Sequence, residues 1–154
     1  LIDVDKLAAI NGGNSVLAGR IAVKRIRDCL SRGISFTQET TLSGSMTAHT
    51  AHTAREQGYY IRMYYVGLHS AEESIMRIAN RVRKGGHDIP SEDVVRRFAN
   101  RGKALARVLP YCDEAIFFDN ENGFLEVAEY HNGEITCRIN APQWIQELAS
   151  ALNV

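Results

Sequence analysis

The chain predicts an α/β fold built on a mainly parallel sheet. Three observations carry that expectation. Strand-like and helix-like segments alternate from the first residues to about residue 119. The segment at residues 59–68, YYIRMYYVGL, is apolar on both alternating sets of positions, the pattern of a strand covered on both faces. Polar residues also collect where predicted strands end: Asp5, Glu39-Thr40-Thr41 and Asp119-Asn120. In open parallel sheets that edge is where ligands bind.

In order, Leu1, Ile2 and Val4 read as the end of a strand that stops at Asp5. Ser15 is placed to cap a helix reaching about Arg32, with Val16, Leu17, Ile21, Ile26 and Leu30 as its apolar stripe and Gly33 as its stop. Residues 35–41, SFTQETT, read as a strand by β-branched content. Ser43-Gly44-Ser45 leads into a helix through about Gln57, stopped by Gly58. After the strand at 59–68, Ser70 caps a helix with Glu72 and Glu73 in its first turn, where the helix dipole favours acids. Gly85 and Gly86 interrupt it, and Ser91 is placed to cap the next helix, with Glu92 and Asp93 behind it. Residues 114–119, EAIFFD, form a strand. Residues 125–131 and 134–140 form a hairpin about Asn132-Gly133, the favoured type I′ pair. A last helix follows Pro142 and buries Trp144, Ile145, Leu148 and Leu152.

At 154 residues, 45% apolar and 23% charged, the chain reads as one globular domain over residues 1–154. Its formal net charge is zero, which disfavours bulk attraction to nucleic acid or to an anionic membrane. No apolar run reaches the length of a membrane span. Cys29, Cys112 and Cys137 are odd in number and form no C-x-x-C pair, so free thiols in a reducing cytoplasm are expected. His49 and His52 lie three apart with no evident third ligand, and no metal site is assigned.

The charge is nevertheless uneven. Residues 77–107 hold nine of the eighteen Lys and Arg, against three acids. Arg77 and Arg81 share a helix face by their four-residue spacing, and Arg97 and Arg101 repeat it on the next predicted helix. Arginine binds phosphate through its planar fork. Two basic helices joined at glycines suit a lid closing on a polyphosphate. The plainer alternative is a pair of solvated, salt-bridged helix faces.

Taken together, FTQETTLSG, YVGLHS, RVRKGGHDIP, FFDNEN and VAEYHNGEITCRI, in this order and spacing, resemble the zeta-toxin-like P-loop kinases. The likeness is to the small bacterial branch described as predicted ABC-type ATPases, and it runs from Asp3 to the hairpin. It implies a P-loop kinase-like three-layer α/β/α fold, a helical lid over residues 77–107, a C-terminal hairpin over 124–140 and a following helix. It implies ATP and Mg²⁺ as cofactors and transfer of the γ-phosphate to a hydroxyl of a nucleotide sugar such as UDP-N-acetylglucosamine. By position it assigns Asp5 as the base toward the acceptor hydroxyl. Glu39, with Thr40 and Thr41, falls on the acceptor side. Arg77 and Arg81 become the lid arginines on the triphosphate, with Arg97 next. His87 and Asp88 become the lid turn, and Asp119-Asn120 falls near the nucleotide base. An antitoxin protein is an implied partner, and the cytoplasm the implied location.

The chain departs from the family pattern in three places. No G-x-x-x-x-G-K-[ST] loop occurs in it, and the resemblance puts that loop upstream of Leu1, on a strand–loop–helix unit of roughly 30 residues. The start in mid-strand without methionine reads as a trimmed piece of a longer protein, inactive without that loop. Asn100-Arg101 stands where an Arg-Ser pair is usual, and Ala104-Leu105 where Asn-Leu is usual. The alternative expectation is a non-catalytic remnant that binds a nucleotide or a partner protein.

Overall fold

The computed structural model describes residues 1–86, 88–121 and 123–152. Its architecture is mixed α/β, with an open four-stranded sheet and seven α-helices among the described residues. It divides into two compact units, 1–60 and 61–154.

The first unit is helical apart from one bridge. Ile2 pairs in parallel with Gln38, through Ile2 N–H to Thr37 O at 2.7 Å and Glu39 N–H to Ile2 O at 3.0 Å. The strand expected over residues 35–41 is reduced to that contact. The strand expected to end at Asp5 likewise stops at Ile2, because Asp3 caps helix α1 (Val4–Ile10) by accepting from Lys6 N–H at 3.0 Å. That hydrogen bond, ahead of the nearby Lys6 ammonium, holds the Asp3 carboxyl below its ordinary range. The depressed value means the cap stabilises the fold at neutral pH, and this contribution is lost as the pH falls through the Asp3 pKa.

Helix α2 (Ser15–Ser31) is capped by Asn14, whose side chain accepts from Leu17 N–H at 2.9 Å, and not by Ser15. Ala18 and Ala22 turn inward with Ile21 and Ile26 against Ile2 and Leu7, while Val16 and Leu17 are exposed. Alanines bring α1 and α2 close together, and a stripe of large residues would have held them apart. Helix α3 (Met46–Glu56) buries Thr50, Ala51 and Ala54.

The second unit holds the sheet, in the order β1-β2-β3-β4. Strand β1 (Arg62–Gly67) runs parallel to β2 (Glu114–Asp119), and the hairpin strands β3 (Leu125–His131) and β4 (Glu134–Cys137) are antiparallel. The described sheet is therefore one parallel pair extended by a hairpin, and not mainly parallel as expected. Strand β1 lies at an edge. Tyr64 and Val66 on its outer face are 59% and 46% exposed, so the double coverage expected for residues 59–68 does not hold. The opposite face packs under α6 (Arg101–Val108) and α7 (Gln143–Leu152), where Phe117, Leu105 and Ile145 are fully enclosed. Asn132 and Gly133 turn the hairpin at φ 51° and 92°, as a type I′ pair requires.

Helix α4 (Ala71–Arg83) begins as expected, with the Ser70 hydroxyl accepting from Glu73 N–H at 3.1 Å. It stops in a Schellman cap. Gly85 adopts φ 86°, and its N–H reaches Val82 O at 2.9 Å while Gly86 N–H reaches Arg81 O at 2.9 Å. The glycine pair thus closes α4 with defined hydrogen bonds. Ser91 is the first residue of α5 (Ser91–Ala99), with Pro90 at the cap position. The long second basic helix is in fact two, because Asn100 ends α5, its side chain donating to Arg96 O at 2.8 Å, and α6 begins at Arg101.

Cys112 follows a short 3-10 turn (Leu109–Tyr111) and donates to Val108 O at 3.6 Å. Burial, aided by Asp113, pushes its thiol up to about 11. The thiolate is the reactive form. Native protein at pH 8 should therefore leave Cys112 unmodified by a thiol reagent while urea-unfolded protein reacts fully. Rapid Cys112 labelling in the folded chain, read by peptide mass mapping, would contradict the burial.

Candidate functional site

The parallel pairing of β1 and β2 builds a site in the second unit. Its register sets Gly67 beside Asp119 at the carboxyl ends of the two strands. Two residues beyond each end come His69 and Glu121. His69 Nε2 lies 3.2 Å from Asp119 Oδ1 and 3.3 Å from Glu121 Oε2. These three side chains offer ligand atoms that all fall within 4.8 Å of one another.

Asp119 is 7% exposed and is held from two sides. The Trp144 indole N–H donates to Oδ1 at 2.9 Å, and Glu121 N–H donates to Oδ2 at 3.2 Å. The indole can reach it because β1 ends in glycine. A Cβ at Gly67 would sit 2.3 Å from the Trp144 ring, inside any permitted contact. Tyr65 and Phe117 pack beside the site, with ring centroids 6.2 Å (Tyr65–Trp144) and 5.8 Å (Tyr65–Phe117) apart. Burial raises the Tyr65 phenol above its ordinary range, against the opposing charge of Arg101.

Two arginines brace the same strand ends. Arg77 pairs with Glu73 at 2.5 Å and donates to the carbonyls of Asn120 and Glu121. Arg101 lies over the Phe98 ring at 3.9 Å, 5.9 Å from the Trp144 ring, and donates to Leu68 O at 3.4 Å. Such cation–π contacts favour a fixed guanidinium.

A shallow depression of about 480 Å³ lies along the end of α4, lined by Arg77, Asn80, Arg81, Lys84, Gly85 and Gly86. Three of these residues are cationic and none is acidic. Gly86 packs against the Arg81 stem so closely that a Cβ there would lie 2.5 Å from Arg81 Cγ.

The residues singled out from the sequence are distributed as follows. Asp5, Glu39, Thr40 and Thr41 belong to the first unit, and Arg77, Arg81, Arg97, Asp119 and Asn120 to the second. Asp5 lies in the first turn of α1 and not at a strand end. The parallel bridge nevertheless sends both Asp5 and Glu39 out from its carboxyl side, and both are exposed. Thr40 and Thr41 serve the loop that precedes α3. Thr40 Oγ1 accepts from Leu42 N–H at 3.1 Å and lies 3.0 Å from Thr47 Oγ1, and Thr41 Oγ1 lies 2.6 Å from Ser43 Oγ.

Arg77 and Arg81 are brought together on the depression. Arg97 is not among its lining residues. It is half-buried with its Nε enclosed and without a hydrogen-bond partner, and the break at Asn100 puts it on a different helix from Arg101. Asp119 is committed to Trp144 and His69, and Asn120 to the Arg77 strut. His87 lies outside the described residues. His49 and His52 gain no third ligand among the described residues, and the His–carboxylate group forms at His69 instead.

Sequence reasoning gave no site role to His69, Glu121 or Trp144, the last of which it placed only in the core. The usable signal was their place: two polar residues just past the ends of two strands that pair in parallel.

Fold and site together define a mixed α/β protein whose polar centre sits at the carboxyl ends of its parallel strand pair. An uncharacterized protein of Haemophilus influenzae is 38% identical over 101 residues, spanning 62% of this chain and 71% of that relative. The chain belongs to the family of that protein. No family model matches the chain, and no solved structure matches it. No helix among the described residues is long and apolar enough to cross a membrane.

Proposed function

We propose that this chain is the acceptor- and phosphate-handling portion of an ATP-dependent small-molecule kinase of the zeta-toxin-like group. The observation that supports the reading best is the cationic depression on α4. Arg77, Arg81 and Lys84 line it, and its lining includes no acidic residue. Gly85 and Gly86 complete its lining with their N–H groups turned back into α4, so the charge that would meet a triphosphate comes from the side chains.

In this reading Arg81 and Lys84 neutralise the triphosphate of Mg²⁺·ATP, while Arg77 holds the depression against the end of β2. Asp5 and Glu39 belong to the acceptor side, as exposed carboxylates leaving one end of a parallel bridge. The acceptor hydroxyl oxygen bonds to the γ-phosphorus as the bridging P–O bond to the β-phosphate breaks. Its proton passes to a carboxylate base, the role the resemblance gives Asp5, and ADP leaves. Such a transfer depends on positioning and charge neutralisation, where one well-placed arginine contributes about 10³–10⁵ in rate. A nucleotide sugar of the UDP-N-acetylglucosamine type is the proposed acceptor, and an antitoxin protein a proposed partner. The Walker A segment of the group would supply the remaining phosphate cradle and the Mg²⁺ ligand.

Calorimetric titration of the chain with inorganic tripolyphosphate and with Mg²⁺·ATP tests this. Binding that weakens at least tenfold in Arg81→Gln and Lys84→Gln supports the reading. Absence of binding, or binding indifferent to both substitutions, removes it. Phosphate-tail binding that survives while Asp5→Asn leaves transfer untouched, in a protein carrying the Walker A segment, would strike Asp5 from the mechanism.

A further inference from the structure

We infer that His69, Asp119 and Glu121 form a binding site for one divalent transition-metal ion, such as Zn²⁺ or Mn²⁺. The site is separate from the cationic depression and stands whether or not that depression takes a phosphate. Four features of the geometry point to it.

The first is spacing. Metal–nitrogen and metal–oxygen bonds of roughly 2.0–2.2 Å put neighbouring ligand atoms about 3.0–3.4 Å apart. His69 Nε2 stands 3.2 Å from Asp119 Oδ1 and 3.3 Å from Glu121 Oε2. The imidazole is therefore already at single-ion separations from both carboxylates, and all three ligand atoms lie within 4.8 Å of one another.

The second is outer support. Metal-binding carboxylates are held in place by hydrogen bonds from groups behind them. Asp119 receives the Trp144 indole N–H on one oxygen and the Glu121 backbone N–H on the other. Its Oδ1 keeps a second lone pair for an ion. The buried indole reaches it only through the missing side chain at Gly67.

The third is access. Asp119 forms the buried wall, while the His69 and Glu121 side chains are 40% and 50% exposed. An ion held there is open to solvent on one side, where water or an anionic ligand completes its coordination. Arg77, which donates to the Asn120 and Glu121 carbonyls, brings a positive charge to the same loop and favours an anion as that ligand.

The fourth is donor chemistry. One imidazole with two carboxylates suits the borderline ions zinc, manganese, iron and cobalt. The same set is a poor match for Mg²⁺, which prefers oxygen ligands and retains its waters.

The test is titration of the whole 154-residue chain, stripped with chelator and dialysed, with Zn²⁺ by calorimetry and with Co²⁺ by visible absorption. Trp144 is the only tryptophan, so its fluorescence reports independently on the indole bonded to Asp119. The expected result is one ion per chain, a change in Trp144 emission, and Co²⁺ bands without thiolate charge transfer. His69→Ala and Glu121→Gln, both at exposed positions where the fold tolerates change, should each weaken binding at least tenfold. Tripolyphosphate binding should persist in both variants, which separates this site from the phosphate reading. No binding, binding equal in wild type and both variants, or binding carried by the cysteines, shown by loss in Cys29→Ser or Cys137→Ser, would overturn the assignment.

Discussion

Gly67→Ala should expel the Trp144 indole from its seat. The added Cβ would lie 2.3, 2.4 and 2.8 Å from three atoms of a rigid ring, not from the tip of a flexible chain. The backbone at Gly67 does not need glycine for its conformation, since its φ is not among the positive ones. Sterics alone forbid the side chain. Overpacking of this kind costs about 1–3 kcal/mol. Losing the Trp144–Asp119 hydrogen bond adds to that, because it leaves a buried carboxylate short of a donor. Urea unfolding followed by Trp144 emission measures both effects. The midpoint should fall, and native emission should shift red as the indole meets water. A variant with native emission and an unchanged midpoint would mean that the ring does not lie over the end of β1.

Phe117→Ala should be more damaging still. Phe117 is fully enclosed at the middle of β2, the only strand of the described sheet with a parallel neighbour on one side and an antiparallel one on the other. It touches the ring of Tyr65, and next to it the pairing with β3 shifts register between Phe117 and Phe118. Removing a buried phenylalanine costs about 3–5 kcal/mol, part of it as cavity that the surroundings cannot fill. Much of a small domain's net stability of about 5–15 kcal/mol would be gone. The expected result is a chain largely unfolded in mild urea, read by far-ultraviolet circular dichroism. A loss under 1 kcal/mol would show that the strand can collapse onto the space.

Asp119 and His69 show why the site was only partly legible. Asp119 was visible as a polar residue closing an apolar strand. His69 was visible too, but with no role. Their meeting depends on β1 and β2 pairing in register across 50 residues of chain, and nothing local encodes that register. Trp144 read correctly as a core residue of the last helix. That its N–H reaches Asp119 follows from the glycine opposite it, a fact of packing. The arginines divide in the same way. The spacing of Arg77 and Arg81 was readable because i and i+4 share a helix face. The identical spacing of Arg97 and Arg101 misled, because Asn100 turns its side chain back onto Arg96 O and ends the helix between them.

Local chemistry was enough to specify the Asn132-Gly133 turn, the Ser70 cap, the bounds of β2 and the apolar face of α7. Each is written in a short window of residue types, where backbone geometry and side-chain pattern leave little choice. Which strand lies at the edge, how much of residues 35–41 becomes strand and which acids gather around His69 depend on partners far along the chain. Those were decided in three dimensions, because strand pairing and side-chain packing compare whole surfaces, and no short window of sequence contains both.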